Sequence, residues 1–278
     1  MRIKTFALLA VAAAVVFAFA PAASAAKPKP FELGVASGDV SANSAVVWSR
    51  YSKPAKVKVT IATNPGLTSP TTVATVRAAK LNDFTVKYSA TNLLPKTTYY
   101  YRFSVGGARS QVGQFETSPL PTDDVPTKFA YSGDTDASPE GAGVSISNES
   151  PVKVLRSRRK PPPFFNRFEV FGLMAREGND FNIHLGDTIY SDSTADGARD
   201  PIAVNTRQKW AKYRMNLGLS NYRNIRSQQS MYSEWDDHEF INDFCVQCSG
   251  KEIFERGRKA FLDYTPVQKW DPNVGLYR

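Results

Sequence analysis

The chain has 278 residues, of which 42% are hydrophobic and 22% are charged. This composition excludes an intrinsically disordered protein, and the length is sufficient for about two domains of ordinary size. The formal net charge of +9 predicts a basic surface that favours anionic partners, although a general surface bias without a specific partner explains the charge equally well.

Residues 1–26 have the three parts of a secretory signal peptide. Arg2 and Lys4 form a positive amino-terminal region, residues 6–20 form an apolar run, and residues 23–25 (ASA) form a small-residue cleavage site. The apolar run is shorter than the roughly 20 residues that a membrane span requires. The sequence therefore predicts Sec-type export without a stable membrane anchor, to the periplasm, the cell surface or the extracellular medium.

Residues 27–119 are predicted to form an all-β sandwich that supports the rest of the chain, with carbohydrate or surface binding as the alternative role. Turn residues separate short segments of alternating polarity, a pattern typical of such sandwiches. The candidate strands are residues 45–51, 57–62, 72–78, 84–90, 98–105 and 111–116. Residues 94–99 (LPKTTY) resemble the tyrosine corner of fibronectin type III domains, in which the tyrosine hydroxyl bonds to the backbone.

After a proline-rich boundary at residues 118–126, the pattern changes to alternating strands and helices. This alternation predicts an α/β layered domain. The predicted strands are 128–132 and 180–185, and the predicted helices are 166–176, 206–215, 221–232 and 252–264. Residues 138–163 form an irregular insertion whose basic cluster we interpret as solvated, with steering of a phosphate-bearing substrate as the alternative.

Three short acidic segments contain the candidate metal-binding and catalytic residues. Asp134 and Asp136 follow the first strand of the α/β region, Asp187 follows the second, and Asp237 and His238 form the third segment. Polar side chains in α/β proteins collect beyond the carboxyl ends of strands, and carboxylate oxygens are the ligands that hard cations prefer. One Asp after a strand is a common turn, but three such segments predict a metal centre.

The two histidines receive different interpretations. His184 lies within a predicted buried strand, so we expect a packed, hydrogen-bonded side chain rather than a ligand. His238 lies among acidic residues in a predicted loop, where a catalytic or ligand role is expected. Cys245 and Cys248 are the only cysteines, and in an exported protein they predict a local disulfide, with a weaker redox alternative.

Four stretches together resemble a known enzyme family. These are residues 31–40 (FELGVASGDV), 45–50 (AVVWSR), 184–190 (HLGDTIY) and 235–239 (WDDHE). The chain resembles the PhoD-like alkaline phosphatases/phosphodiesterases of the calcineurin-like metallophosphoesterase superfamily, from residue 31 to residue 278.

The resemblance implies a fold and a division into domains. A signal peptide (1–26) precedes a fibronectin-III-like β-sandwich (27–119), and residues 120–278 correspond to a four-layer α/β/β/α metallophosphatase domain, incomplete at its carboxyl end. The implied activity is hydrolysis of phosphate esters through in-line attack by metal-bound hydroxide.

The resemblance also implies roles for individual residues. Asp134 matches the metal carboxylate after the first strand, and Asp187 matches the carboxylate that bridges two metals. Tyr190 stands where a phenolate binds ferric iron in the Gly-Asp-x-x-Tyr pattern of purple acid phosphatases. Asp237 replaces the usual asparagine of the superfamily as a metal residue, and His238 matches the histidine that binds the phosphate and protonates the leaving oxygen.

Further implied features concern cofactors and partners. Asp136 and Asp236 are additional candidates for contact with a metal or with the phosphate. The resemblance implies two metal ions, iron together with calcium or another divalent cation such as zinc or manganese. The expected partner is a phosphate-ester substrate, and the sequence contains no specific nucleic-acid-binding motif.

Two departures from the family pattern lead to expectations of their own. Ser132 and Gly133 stand where some members place Ser-Cys, with the cysteine as a metal ligand. Later strands of the family supply further ligands beyond residue 278, so we expect this chain to act as a fragment with impaired or no activity. The alternatives are a purple-acid-phosphatase-like enzyme and a non-catalytic surface-binding β-sandwich protein.

Overall fold

A computed structural model describes residues 29–137, 167–193 and 202–268, together with residues 270, 271, 273, 275 and 276. The predicted signal peptide and the insertion at 138–163 lie outside the described residues. None of the described helices combines the length and the apolar character that a membrane crossing requires.

The amino-terminal part is a β-sandwich of two antiparallel sheets, as predicted. Its strands in chain order are β1 (Val35–Gly38), β2 (Ala45–Arg50), β3 (Ala55–Ala62), β4 (Thr72–Ala78), β5 (Thr85–Ala90), β6 (Thr98–Val105), β7 (Ala108–Arg109) and β8 (Gly113–Glu116). A short 3-10 helix, Lys80–Asn82, precedes β5. One sheet has the order β1-β2-β5, and the other has the order β4-β3-β6-β7, with β8 also paired to β6.

Alternating polarity explains why these segments form strands. In β3, Val57, Val59 and Ile61 are fully buried between the sheets, whereas Lys56 and Lys58 are exposed. The strand predicted at residues 111–116 is β8, which begins two residues later than predicted, at Gly113. The chain turns at the buried Ser110, whose hydroxyl accepts a hydrogen bond from the Phe103 N–H at 3.0 Å and thereby interrupts the strand.

The tyrosine corner is confirmed, and it yields a stability prediction. The Tyr99 hydroxyl accepts the Leu94 N–H at 2.9 Å, and the Tyr99 ring is buried. Tyr99→Phe is expected to lower the free energy of unfolding by about 1–3 kcal/mol, because the Leu94 N–H loses its acceptor. Urea denaturation measures the change, with Tyr100→Phe, on the outer face of the same strand, as the control. Equal stability of the two variants would contradict the role of the corner.

The carboxyl-terminal part contains a parallel three-stranded sheet with helices. The strands are β9 (Phe129–Ser132), β10 (Phe181–Leu185) and β11 (Ser230–Glu234), in the order β11-β10-β9. The helices are α1 (Glu169–Met174), α2 (Thr206–Leu217), α3 (Ser220–Gln228), α4 (Val246–Ser249) and α5 (Lys251–Tyr264).

The predicted helix over residues 221–232 was wrong at its carboxyl end. Helix α3 ends at Gln228, and Gln229 has extended backbone dihedral angles, φ −143° and ψ 150°. The following residues form β11, which pairs in parallel with β10 and buries Met231 in the core. Tertiary pairing therefore overrides the helical pattern of the sequence.

One face of this sheet is covered by helices. Asn182, His184 and Met231 point to that face and are buried. On the opposite face, Phe129 and Tyr131 are exposed. The described residues thus form one sheet layer and one helical layer of the four-layer arrangement that the family resemblance implies.

The sandwich packs against this α/β part through the β1-β2-β5 sheet. Trp48 of β2 is fully buried and donates its indole N–H to the Asp263 carbonyl of α5 at 2.8 Å. Lys87 of β5 donates to the carbonyls of Leu262 and Val267 at 2.6 and 2.9 Å, at the carboxyl end of the same helix. Burial lowers the pKa of Lys87 to about 8. These contacts hold α5 against the sandwich.

Candidate metal centre

The three acidic segments lie at one edge of the parallel sheet. Asp134 follows β9, Asp187 follows β10, and Asp237 with His238 follows β11. Because the strands are parallel and adjacent, their carboxyl ends meet at the same edge. The placement of Asp134 and Asp187 after predicted strands is therefore confirmed, and the third segment follows β11, part of which was predicted as helix.

Asp187, Asp237 and His238 form a group that could hold a metal ion. Each offers one ligand atom, and these atoms all lie within 4.8 Å of one another. The backbone N–H of His238 also donates to Asp187 Oδ1 at 3.1 Å. Burial raises the pKa of Asp187 to about 6; His238 opposes this rise, and the nearby charges of Asp237 and Asp236 add to it. A bound cation would relieve this crowding of carboxylates.

Asp134 and Tyr190 lie beside this group rather than in it. The Tyr190 hydroxyl donates to Asp134 Oδ1 at 2.9 Å, and its ring stacks on the His238 ring at a centroid distance of 4.1 Å. Burial and the hydrogen bond to Asp134 raise the pKa of Tyr190 above its usual value, and the charge of Asp136 adds to that rise. Asp236 is exposed, and its charge acts on Asp187.

Unusual backbone conformations bring the loops together. Asp134 and Asp187 both have positive φ, 56° and 53°, which is uncommon for residues other than glycine. Gly186 has φ 93°, and a Cβ at this position would lie 2.6 Å from Cβ of Asp236. A side chain at residue 186 would therefore push the loop after β10 away from the loop after β11.

Glu239 fixes the second and third loops to each other, a role that the sequence did not reveal. Its fully buried carboxylate accepts the backbone N–H groups of Asp187 at 3.2 Å, Thr188 at 2.5 Å and Asp236 at 2.9 Å. Burial raises the pKa of Glu239 to about 8, although the backbone N–H groups of Asp236 and Thr188 oppose the rise. In the sequence, Glu239 is only the last residue of the stretch 235–239, and no local pattern indicates its hydrogen-bond partners.

Asp192 is a second functional residue that sequence reasoning missed. Its Oδ1 lies 2.6 Å from His238 Nδ1, and its side chain is buried. Burial alone would lower the pKa of His238, but the hydrogen bond to Asp192 and the carboxylates of Asp192, Asp187 and Asp237 raise it to about 9. Asp192 therefore orients the ring and favours its protonated form. It lies five residues after Asp187, and its position carries no periodic signal.

A buried lysine supports the same two loops from α2. Lys209 donates to the Ser191 hydroxyl at 2.8 Å and to the Phe240 carbonyl at 2.7 Å. Burial lowers its pKa to about 7. Helix α2 begins with a capping box between Asn205 and Gln208, which fixes the start of the helix that carries Lys209.

His184 and the cysteines have the structures expected from the sequence. His184 is fully buried, its Nε2 lies 3.2 Å from the Thr135 hydroxyl, and burial lowers its pKa to about 4. It is therefore a packed histidine. Cys245 and Cys248 form a disulfide in the segment after the third acidic loop.

Comparison with known proteins places the chain in a family. The family model of the PhoD-like phosphatase N-terminal domain matches residues 18–119, and the model of the PhoD-like phosphatase matches residues 162–278. The chain is 25% identical to alkaline phosphatase D of Bacillus subtilis (strain 168) over 285 aligned residues, covering 90% of this chain and 44% of the relative.

Solved structures show the same fold. A structure of PhoD matches with a TM-score of 0.72 and 22% identity, covering 92% of this chain and 50% of that one. A purple acid phosphatase from yellow lupin (Lupinus luteus) matches with a TM-score of 0.50 and 14% identity, covering 85% and 40%. The chain thus spans about half the length of the relatives that it matches. Its two matched regions and its fold show that the chain belongs to the PhoD-like phosphatase family.

Proposed function

We propose that this protein is an exported, metal-dependent phosphoesterase that hydrolyses phosphate esters. The observation that carries the proposal is the convergence of Asp187, Asp237 and His238 at one edge of the parallel sheet. The match to the PhoD-like phosphatase family supports this class of reaction. The signal-peptide pattern of residues 1–26 supports export.

The donor atoms of the site suit hard or borderline metal ions. Carboxylates and a phenol converge there, and such ligands suit iron, calcium, zinc and manganese. We assign Asp187 and Asp237 to metal binding, with Asp134 and Tyr190 beside them for a second ion. When bound, two such ions activate a water molecule and neutralise charge on the phosphate.

Residues of the chain itself orient the imidazole of His238 and supply a proton to the leaving group. His238 holds Nδ1 against Asp192, so Nε2 is the nitrogen left to face the substrate. A protonated ring in this position binds a phosphate oxygen and donates a proton to the leaving oxygen. Asp136 and Asp236 are further candidates for contact with a metal or with the phosphate.

Two other functions fit less well. A purple-acid-phosphatase-like enzyme shares the fold, but the family model that matches is the PhoD-like one. A non-catalytic surface-binding protein would have no use for the convergent carboxylates, and its binding would survive their removal.

Metal content of the purified chain tests the proposal. The wild-type chain is expected to retain bound metal and Asp187→Asn to lose most of it, because Asp187 is the buried carboxylate of the ligand group. Asp124→Asn, in an exposed loop, removes the same charge away from the site and serves as the control. Elemental analysis measures the metal, circular dichroism checks the fold, and phosphate release from a phosphodiester measures activity. A folded wild-type chain that binds no metal, or bound metal that Asp187→Asn retains, would refute the proposal.

A further inference from the structure

The outer face of the β4-β3-β6-β7 sheet carries a cluster of cations. In β3, Lys56 and Lys58 point away from the core, since the alternate residues are buried between the sheets. Cross-strand pairing adds the others to the same face: Arg77 lies opposite Lys56, Arg102 opposite Thr60, and Arg109 opposite Ser104. We call this set the basic face; it consists of Lys56, Lys58, Arg77, Arg102 and Arg109.

The described residues provide no ion-pair partner for the cations of the basic face. Within the described part of the chain, none of the five takes part in an ion pair, whereas Arg50 and Arg214 near the domain junction both pair with Asp83. Glu116 is the carboxylate that the described strands place on this face. It lies toward the other end, opposite Thr98, and pairs with Lys96 at 2.6 Å.

The dimensions of the basic face suit a ligand with several charges. Neighbouring strands lie about 4.8 Å apart, and alternate residues of a strand lie about 6.8 Å apart, so the cations cover a band about 15 Å wide across four strands. A single exposed ion pair contributes little. Appreciable affinity therefore requires a partner that contacts several of the cations at once.

The basic face is accessible while the candidate metal centre is in use. The α/β part packs on the β1-β2-β5 sheet, through contacts such as that of Trp48 with α5. The basic face belongs to the other sheet of the sandwich. That sheet touches the α/β part at its β8 edge, where Gln114 donates to the Gln228 carbonyl at 3.1 Å, whereas the cations of the basic face lie on β3, β4, β6 and β7. Lys56, Lys58, Arg77 and Arg109 are all exposed there.

We propose that the basic face binds a hydrophilic linear polyanion with repeated phosphate charges. Hydroxyl groups of Thr60, Thr75 and Ser104 lie between the cations and suit the hydrogen-bonding groups of such a chain. Val73, 56% exposed, is the large hydrophobic side chain that the described residues expose on this face. A hydrophilic polymer is favoured over a bilayer, because membrane-binding surfaces insert apolar side chains. The proposal is independent of the catalytic one.

Binding of inorganic polyphosphate to the full chain tests this proposal. Titrations run in a chelator, so that phosphate binding at the metal centre does not contribute, and they are repeated at several salt concentrations. Lys56→Gln/Lys58→Gln/Arg77→Gln removes three cations from the face. Arg176→Gln/Arg207→Gln/Lys251→Gln removes three exposed cations from the α/β part and is the matched control.

The face variant is expected to bind at least about tenfold more weakly, and its slope of log K against log salt is expected to fall by about 2 relative to the wild type. The control is expected to stay within about twofold of wild type. If the triple variant does not fold, Lys58→Glu alone replaces it and is expected to weaken binding in the same direction.

Two outcomes would overturn the proposal. If the face variant and the control lose the same affinity for polyphosphate, then only the net charge of the protein determines binding. Face-dependent binding to phosphatidylglycerol vesicles without binding to polyphosphate would assign the surface to a membrane instead.

Discussion

His238→Asn is expected to lower the turnover of a phosphate ester with a poor leaving group by roughly 10²–10⁴-fold, the range typical of a lost general acid. The expectation follows from geometry. Asp192 holds His238 Nδ1 at 2.6 Å, and the ring stacks on Tyr190 beside the carboxylates. Asparagine keeps a polar side chain of smaller size but provides no proton near neutral pH.

The leaving group separates this role from metal binding. An ester of p-nitrophenol needs little protonation, so its hydrolysis is expected to fall much less in the variant than that of an alkyl ester. Metal content is expected to stay at the wild-type level. Loss of metal, or equal losses with both esters, would show that His238 is a ligand instead. The turnover of Asp192→Asn is expected to lie between those of the wild type and His238→Asn, because this substitution disturbs the orientation of the His238 ring without removing the ring.

Glu239→Ala is expected to lower the free energy of unfolding of the metal-free chain by at least about 3 kcal/mol. The buried carboxylate is the acceptor for three backbone N–H groups, and alanine leaves all three without a partner. The three N–H groups belong to Asp187, Thr188 and Asp236, in the loops that carry the candidate metal ligands. The variant is therefore also expected to lose metal affinity, because these loops lose their connection. Urea denaturation and elemental analysis measure the two effects.

Matched variants make this prediction specific. Glu234→Ala removes an exposed carboxylate only five residues earlier in the chain and is expected to be nearly neutral. Glu239→Gln keeps the shape and one acceptor oxygen, so an intermediate loss is expected. A Glu239→Ala chain that unfolds at the same urea concentration as Glu234→Ala would show that the loops hold their positions without this carboxylate.

Local sequence pattern was sufficient for much of the sandwich. The predicted strands at residues 72–78 and 98–105 coincide with β4 and β6, because alternation of buried and exposed residues is a property of each strand by itself. The tyrosine corner at Tyr99 is similarly local, since its partner lies five residues away. Strand β1 escaped prediction because it is only four residues long and contains Ala36 and Gly38, residue types that are depleted in strands.

The α/β part shows where local pattern fails. Residues 230–232 continue a helical pattern, yet they form β11, because pairing with β10 and burial of Met231 outweigh helix propensity. This strand places Asp237 and His238 beside Asp187, so the parallel sheet determines the geometry of the candidate site.

The sequence by itself determined the fold class and the placement of Asp134 and Asp187 after predicted strands, since motifs and the alternation of polarity are properties of consecutive residues. Only the tertiary structure decided which groups support them. Asp192 meets His238 across 46 residues, and Glu239 meets Asp187 across 52. The physical reason is that a hydrogen bond between two loops leaves no periodic trace in either loop, so such partners become visible only when the folded strands bring their ends together.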